Sequence, residues 1–218
     1  MGALSRAWGH VFTNRLAGAY YEFGVYRGDT FRAAVAATAP FLAWQAAQRV
    51  SPEPWRRARQ PITPHFYAFD TFAGMPDNAE GEPTFAAGTF ACSLDEFTRR
   101  NRAVGIVEGE RVRYFAGTFA SVKPETIAPL EPAVIVNLDC DLEASTRDAL
   151  ALVAPKLVQG TVLLVDDWNA FAADPRRGQR RALADFLAAH TELAVEPWFA
   201  YHFVGQAFLV HHSRNTSM

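Results

Sequence analysis

The stretch VIVNLDCDLEASTRDALALVAPKLVQGTVLLVDDWNAF, residues 134–171, decides the fold. Its two apolar runs, Ala133 to Leu138 and Thr161 to Val165, show no polar alternation, as expected of central strands covered on both faces. Between them Thr146, Leu150, Val153 and Leu157 recur at three- and four-residue spacing. That spacing predicts one apolar stripe on a helix returning across the sheet, with Gly160 as its left-handed cap. Each strand ends on carboxylates: Asp139 after the first, Asp166 and Asp167 after the second.

The same alternation extends outward. AYYEFGV (residues 19–25) precedes an Ala-rich segment from Thr30, and HFYAFD (65–70) precedes a loop. Stacked βαβ units and a parallel sheet follow. Asp174 and Pro175 are expected to open a helix through His190, with Leu183, Phe186 and Leu187 facing inward. The runs LAVEPWF and QAFLVHH predict a terminal antiparallel pair. The expected class is therefore α/β, a mixed sheet with helices on both faces.

With 218 residues, 50% of them hydrophobic, the chain can bury one sizeable core, so residues 1–218 are expected to form a single domain. A net charge of −2 and a pI near 6.3 offer no basic excess for a phosphate backbone, which argues against nucleic acid as a partner. The first residues lack the pattern of a secretory signal, and no apolar run reaches about 18 residues. A cytoplasmic protein without a membrane partner is expected. Cys92 and Cys140 are too few for a disulfide scaffold or a Cys-built zinc site, and are expected to be buried thiols. The Pro/Arg-rich section 51–64 reads as an exposed connection, because proline removes donors and clashes with the preceding turn. Section 73–90, rich in Gly and Pro, reads as a mobile loop near a site or a surface excursion.

Three groups of residues suggest chemistry. In YEFGVYRGDTF (21–31), Glu22 ends a strand, Gly24 and Gly28 permit a tight turn against a ligand, and Asp29 can cap the next helix. A nucleotide-like cofactor could lie there, although the pattern is not GxGxxG. Asp70 ends the following strand, where a carboxylate can accept both hydroxyls of a ribose or simply cap the turn before Phe72. Asp139, Asp166 and Asp167 would converge at neighbouring strand ends. Such carboxylates repel unless protons or a hard divalent cation compensate them. The alternative is that Asp141 caps the next helix and Asp167 a loop.

Together, EFGVYRGDTF, FYAFDTFAGMP, residues 136–171 and GQRRALADFL make the chain resemble the macrocin O-methyltransferase family. The resemblance covers about Tyr20 to Val210 and implies a Rossmann-like class I methyltransferase fold with a seven-stranded sheet. It implies S-adenosylmethionine as cofactor, with Glu22, Gly24 and Gly28 by its methionine end, Asp70 on its ribose, and Thr118, Phe119 and Ser121 flanking its adenine. It also implies Mg²⁺ on Asp139, Asp166 and Asp167, with a small-molecule hydroxyl of a sugar or natural product as acceptor. Asp139 and Asp141 are then the expected catalytic residues. Where catechol-type relatives carry a lysine three residues after the first metal aspartate, this chain has Leu142, so Asp141 is the nearest proton acceptor and His202 a remote one. Few residues precede the first strand, and the 73–90 loop would have to serve as lid. A hydroxylase-like relative, an inactive cofactor-binding scaffold and a homo-oligomer stay open as readings.

Overall fold

The computed structural model describes residues 2–78, 81 and 83–213. In chain order the elements are α1 (Ala3–Asn14), β1 (Ala19–Phe23), α2 (Asp29–Ala36), α3 (Ala39–Arg49), α4 (Pro54–Arg57) and β2 (His65–Asp70). There follow α5 (Leu94–Arg102), β3 (Val112–Ala116), α6 (Pro124–Ile127), β4 (Ala133–Leu138), α7 (Glu143–Val153) and β5 (Leu157–Val165). The chain continues through α8 (Gly178–Ala189), β6 (Leu193–Tyr201) and β7 (Gly205–His212). Seven strands form one mixed sheet in the order β3-β2-β1-β4-β5-β7-β6. Neighbours from β3 to β5 pair in parallel, and β7 runs antiparallel to both β5 and β6. This is the seven-stranded mixed sheet that the family resemblance implied.

The unalternated strands are unalternated because both faces are covered. Every residue of β1 and β4 is buried. On one face Val136, Leu138, Leu163 and Val165 pack with Leu150, Val153, Leu183 and Phe186 from α7 and α8. On the other, Ile135, Val162 and Leu164 pack with Trp8, Val11, Phe31 and Phe97 from α1, α2 and α5. The free energy of burying such side chains, about 1.5–3 kcal/mol each, fixes which face each helix covers. The helix α1 before the first strand supplies Trp8, which has no exposed surface and donates from Nε1 to the Ala34 carbonyl at 3.0 Å. No helix among the described residues is long and apolar enough to cross a membrane.

Four local expectations are corrected. Leu157 opens β5 rather than closing α7, because Pro155 cannot continue a helix and the chain tightens into a 3₁₀ turn over Ala154–Lys156. Gly160 therefore lies inside β5, at φ +85°, where the pairing with β4 shifts register. Asp174 does not cap α8: it accepts from the backbone and side chain of Arg176, and the helix starts at Gly178. Asp29 is the first residue of α2 and not its cap, which is Gly28 in a left-handed conformation. The section 51–64 holds only the single helical turn α4. Both cysteines are buried.

Candidate active site

Strand order reverses between β1 and β4, and at such a switch point an open α/β sheet leaves a crevice beyond its carboxyl ends. Here it is a cleft of about 450 Å³, a size suited to a nucleoside-sized ligand. Gly24, Asp70, Thr118, Phe119, Asp139 and Asp141 are among its lining residues.

The glycine turn serves the backbone first. Gly24 sits at φ +85°, and a Cβ there would meet the Asp139 carbonyl oxygen at 1.8 Å. The glycine thus permits the ends of β1 and β4 to touch. Gly28 is buried against the Phe97 ring, where a Cβ would come within 2.6 Å, and it does not line the cleft. Glu22 lies below the cleft with no exposed surface, accepting from the Tyr20 hydroxyl at 2.5 Å. Burial, and then the neighbouring Asp139, Asp166 and Asp70, hold its carboxyl well above the usual range.

Asp70 performs the capping role and more. Its Oδ2 accepts from the amides of Val25 at 2.7 Å and Tyr26 at 3.1 Å, and its Oδ1 accepts from Phe72 N at 2.8 Å. It thereby ties the glycine turn of β1 to the end of β2. Oδ1 also accepts a long 3.4 Å bond from Thr71 Oγ1, a hydroxyl that bonds more closely to the Gly74 carbonyl at 2.7 Å, so this is the weakest of the partners on the carboxylate. Thr118 and Phe119 line the far wall, whereas the Ser121 hydroxyl turns back onto the Thr118 carbonyl at 2.7 Å. The 73–90 loop, of which residues 79, 80 and 82 lie outside the described residues, pairs with itself through Met75 and Thr89. Its Phe85 packs on Phe171 with ring centroids 5.7 Å apart, so it reaches the segment that follows the Asp166–Asp167 pair.

Asp139, Asp166 and Asp167 each offer a carboxylate oxygen within 4.8 Å of the other two. Asp141 joins them because it takes a left-handed backbone, φ +57°, two residues before α7 rather than capping it; the helix cap is Leu142. Burial is the main reason these acids titrate high. It pushes Asp139 well up, with Asp166 and Asp167 adding repulsion. It raises Asp141 to about 9, reinforced by Asp167 and Asp139, and Asp167 to about 6, reinforced by Asp166. Asp167 Oδ2 is buried with no hydrogen-bond partner among the described residues. An oxygen-only donor set with a bare buried oxygen fits a hard divalent cation.

Two residues of the site escaped the sequence reading. Gln179, almost fully buried at the start of α8, accepts from Asp167 N at 2.8 Å and donates to the Leu138 carbonyl at 3.0 Å. It locks the ends of β4 and β5 together, a role that the GQRRALADFL motif containing it did not reveal. Tyr201, at the end of β6, buries its hydroxyl, and burial followed by Asp166 and Asp139 raises its pKa. Arg180 is held on the Trp168 carbonyl and on Asn169 Oδ1, and Arg177 stacks over Phe171 at 4.4 Å.

Raised carboxyl pKa values carry a sign for stability. An aspartate near 3.9 when unfolded and near 9 when folded binds more protons in the native state across that window, so stability is lost as pH rises through it. Cation-free protein is expected to lose at most roughly 3–5 °C of melting temperature per pH unit between pH 6 and 9 on account of Asp141. The slope should flatten in Asp141→Asn; an unchanged slope in calorimetry would show that Asp141 is not held protonated.

The family model described as Macrocin-O-methyltransferase (TylF) matches residues 56–195. A curated relative, demethyldecarbamoylnovobiocin O-methyltransferase of Streptomyces niveus, is 32% identical over 107 residues, 45% of this chain and 40% of its own length. The 8-demethyl-8-(2,3-dimethoxy-alpha-L-rhamnosyl)-tetracenomycin-C 4'-O-methyltransferase of Streptomyces olivaceus is 26% identical over 135 residues, 57% of this chain and 50% of its own. The matched regions thus span about half or less of these relatives. Among solved structures, the O-methyltransferase NovP superposes with a TM-score of 0.65 at 23% identity, covering 94% of this chain and 77% of its own. The calicheamicin methyltransferase CalS11 gives 0.63 at 19%, covering 95% and 77%.

Proposed function

The chain belongs to the macrocin O-methyltransferase family, and we propose that it transfers a methyl group from S-adenosylmethionine to a hydroxyl of a sugar or natural-product acceptor, assisted by a divalent cation such as Mg²⁺. The observation that carries the cation is the convergence of Asp139, Asp166 and Asp167 within 4.8 Å beside the cleft. The names of the curated relatives support the acceptor class.

S-adenosylmethionine supplies an electrophilic methyl group, and a bound cation supplies a Lewis acid that lowers the pKa of an acceptor hydroxyl. Gly24, Asp70, Thr118 and Phe119 would hold the cofactor; a ribose hydroxyl would take the place of the long Thr71 Oγ1 contact on Asp70, and the amide bonds fix that carboxylate in place. Asp139, Asp166 and Asp167 would hold the cation. Asp141, lining the same cleft two residues beyond Asp139, would take the acceptor's proton once a cation beside it offsets the neighbouring carboxylates and lowers the high pKa it has in the empty site. Methyl transfer is a displacement governed by alignment, so rigid strand ends and the Gln179 lock serve it by limiting motion of the carboxylates. The 73–90 loop, packed on Phe171, would exclude water.

The test is a thermal melt followed by a transfer assay. S-adenosylhomocysteine at 100 times its dissociation constant should stabilise the fold by about 2.7 kcal/mol. Labelled methyl from S-adenosylmethionine should then appear on a glycoside acceptor and stop appearing in EDTA. No melting shift at millimolar ligand would remove the cofactor from the reading, and turnover indifferent to EDTA would remove the cation.

A further inference from the structure

We propose that His202 is a positioning residue for Asp166: a neutral imidazole, locked as the Nε2–H tautomer, that donates to one carboxylate oxygen and fixes the orientation of this cation ligand. The inference rests on the cation site proposed above. His202 lies in the turn between β6 and β7, 36 residues from Asp166, and its Nε2 is 3.0 Å from Asp166 Oδ1.

The opposite ring nitrogen identifies the tautomer. Nδ1 faces two backbone donors, Val204 N at 3.2 Å and Gly205 N at 3.3 Å, and so can only be the acceptor. The ring proton therefore resides on Nε2 and points at the carboxylate. This arrangement leaves His202 no lone pair for an acceptor hydroxyl: one nitrogen's is engaged by amides, and the other nitrogen carries the proton. His202 is thereby removed as the general base and given a different task.

The turn is shaped around the ring. His202 adopts φ +38°, a left-handed backbone that a histidine holds only where its surroundings dictate it. A Cβ on Gly205 would come within 2.6 Å of both His202 Nε2 and the Tyr201 ring, so only glycine leaves room for the imidazole. Tyr201 meets the ring edge-on, with centroids 4.6 Å apart. Anchored through Nδ1 and braced by Tyr201, the imidazole presents its N–H to Oδ1 in a fixed direction. Outer partners of this kind set the orientation of ligating groups, and their loss commonly costs 10–100-fold in metal affinity.

The decisive variant is His202→Asn. A shorter asparagine can still accept the Val204 and Gly205 amides through its side-chain oxygen, which preserves the turn, but it cannot reach Asp166. Manganese binding to the full chain, followed by electron paramagnetic resonance, is expected to weaken about 10–100-fold in His202→Asn, with S-adenosylhomocysteine affinity unchanged. Nitrogen-15 spectra of the wild-type protein without cation should show one protonated ring nitrogen, Nε2. A proton on Nδ1, or wild-type manganese affinity in His202→Asn, overturns the proposal. If His202→Asn does not fold, the wild-type spectrum still decides the tautomer. If the wild-type protein binds no manganese at all, the cation site itself fails and the positioning role falls with it; wild-type binding with an indifferent variant sinks the positioning role alone.

Discussion

Asp139→Asn is expected to abolish methyl transfer while raising the melting temperature of the cation-free protein. The two effects share one cause. Asp139 is held well above its usual pKa by burial, then by Asp166 and Asp167, so its negative charge is a burden on the empty fold. An isosteric amide removes that charge and leaves the backbone bond from Asp139 N to the Phe23 carbonyl at 2.9 Å untouched. The same change removes a ligand from the oxygen set within 4.8 Å. A cation's Lewis-acid contribution of several kcal/mol corresponds to a turnover loss of about 1,000-fold or more. The measurements are calorimetry in EDTA at pH 8 and single-turnover transfer with saturating magnesium. Turnover near the wild-type rate would show that Asp139 does not ligate a required cation, and a lowered melting temperature would show that the carboxylates do not repel. Opposite movements of stability and activity are what a destabilised active site requires.

Gly24→Ala should unfold the top of the sheet instead of merely emptying the cleft. Alanine at φ +85° is strained by itself, and its methyl group would sit 1.8 Å from the Asp139 carbonyl oxygen and 2.7 Å from the carbonyl carbon. Both obstacles are backbone atoms of β4's end and cannot rotate aside. Strands β1 and β4 would have to part where Asp139 N bonds to the Phe23 carbonyl, and the neighbouring bond from Gly24 N to the Phe69 carbonyl at the end of β2 would be strained with it. A loss of about 3–4 kcal/mol, roughly 10 °C in a domain of this size, is expected. Gly109→Ala, with nothing within 4 Å of its added methyl, is the control and should melt close to wild type. A Gly24→Ala protein that melts normally but fails to bind S-adenosylhomocysteine would reverse the assignment and make the glycine a ligand contact.

These two residues mark how far a linear reading reaches. The unbroken runs in β4 and β5 announced strands buried on both faces, since hydrophobic burial acts on each segment in proportion to its own apolar surface. The acidic residues at the strand ends followed from the same runs: a parallel sheet brings the carboxyl ends of its strands to one edge whatever lies between them. What Gly24 is for did not follow, because a glycine in a strand-to-helix turn reads the same whether a ligand or a carbonyl lies above it. Gly28, read as a second ligand contact, turns out to be packed on Phe97. Asp141 was legible as acidic and near the site, but its approach to Asp167 depends on a left-handed backbone angle that no neighbour in sequence requires.

The sequence alone determined the class of sheet, the strands that end in carboxylates and the family motifs, all of which depend on periodicity or spacing within a few tens of residues. Only the tertiary structure decided the partners: the Asp139 carbonyl against Gly24, Gln179 across the ends of β4 and β5, and the His202 ring on Asp166 from the β6–β7 turn. Those contacts arise from strand order and backbone torsions, which bring together atoms 12 to 115 positions apart in the chain, and a hydrogen bond has no range along the sequence, only in space.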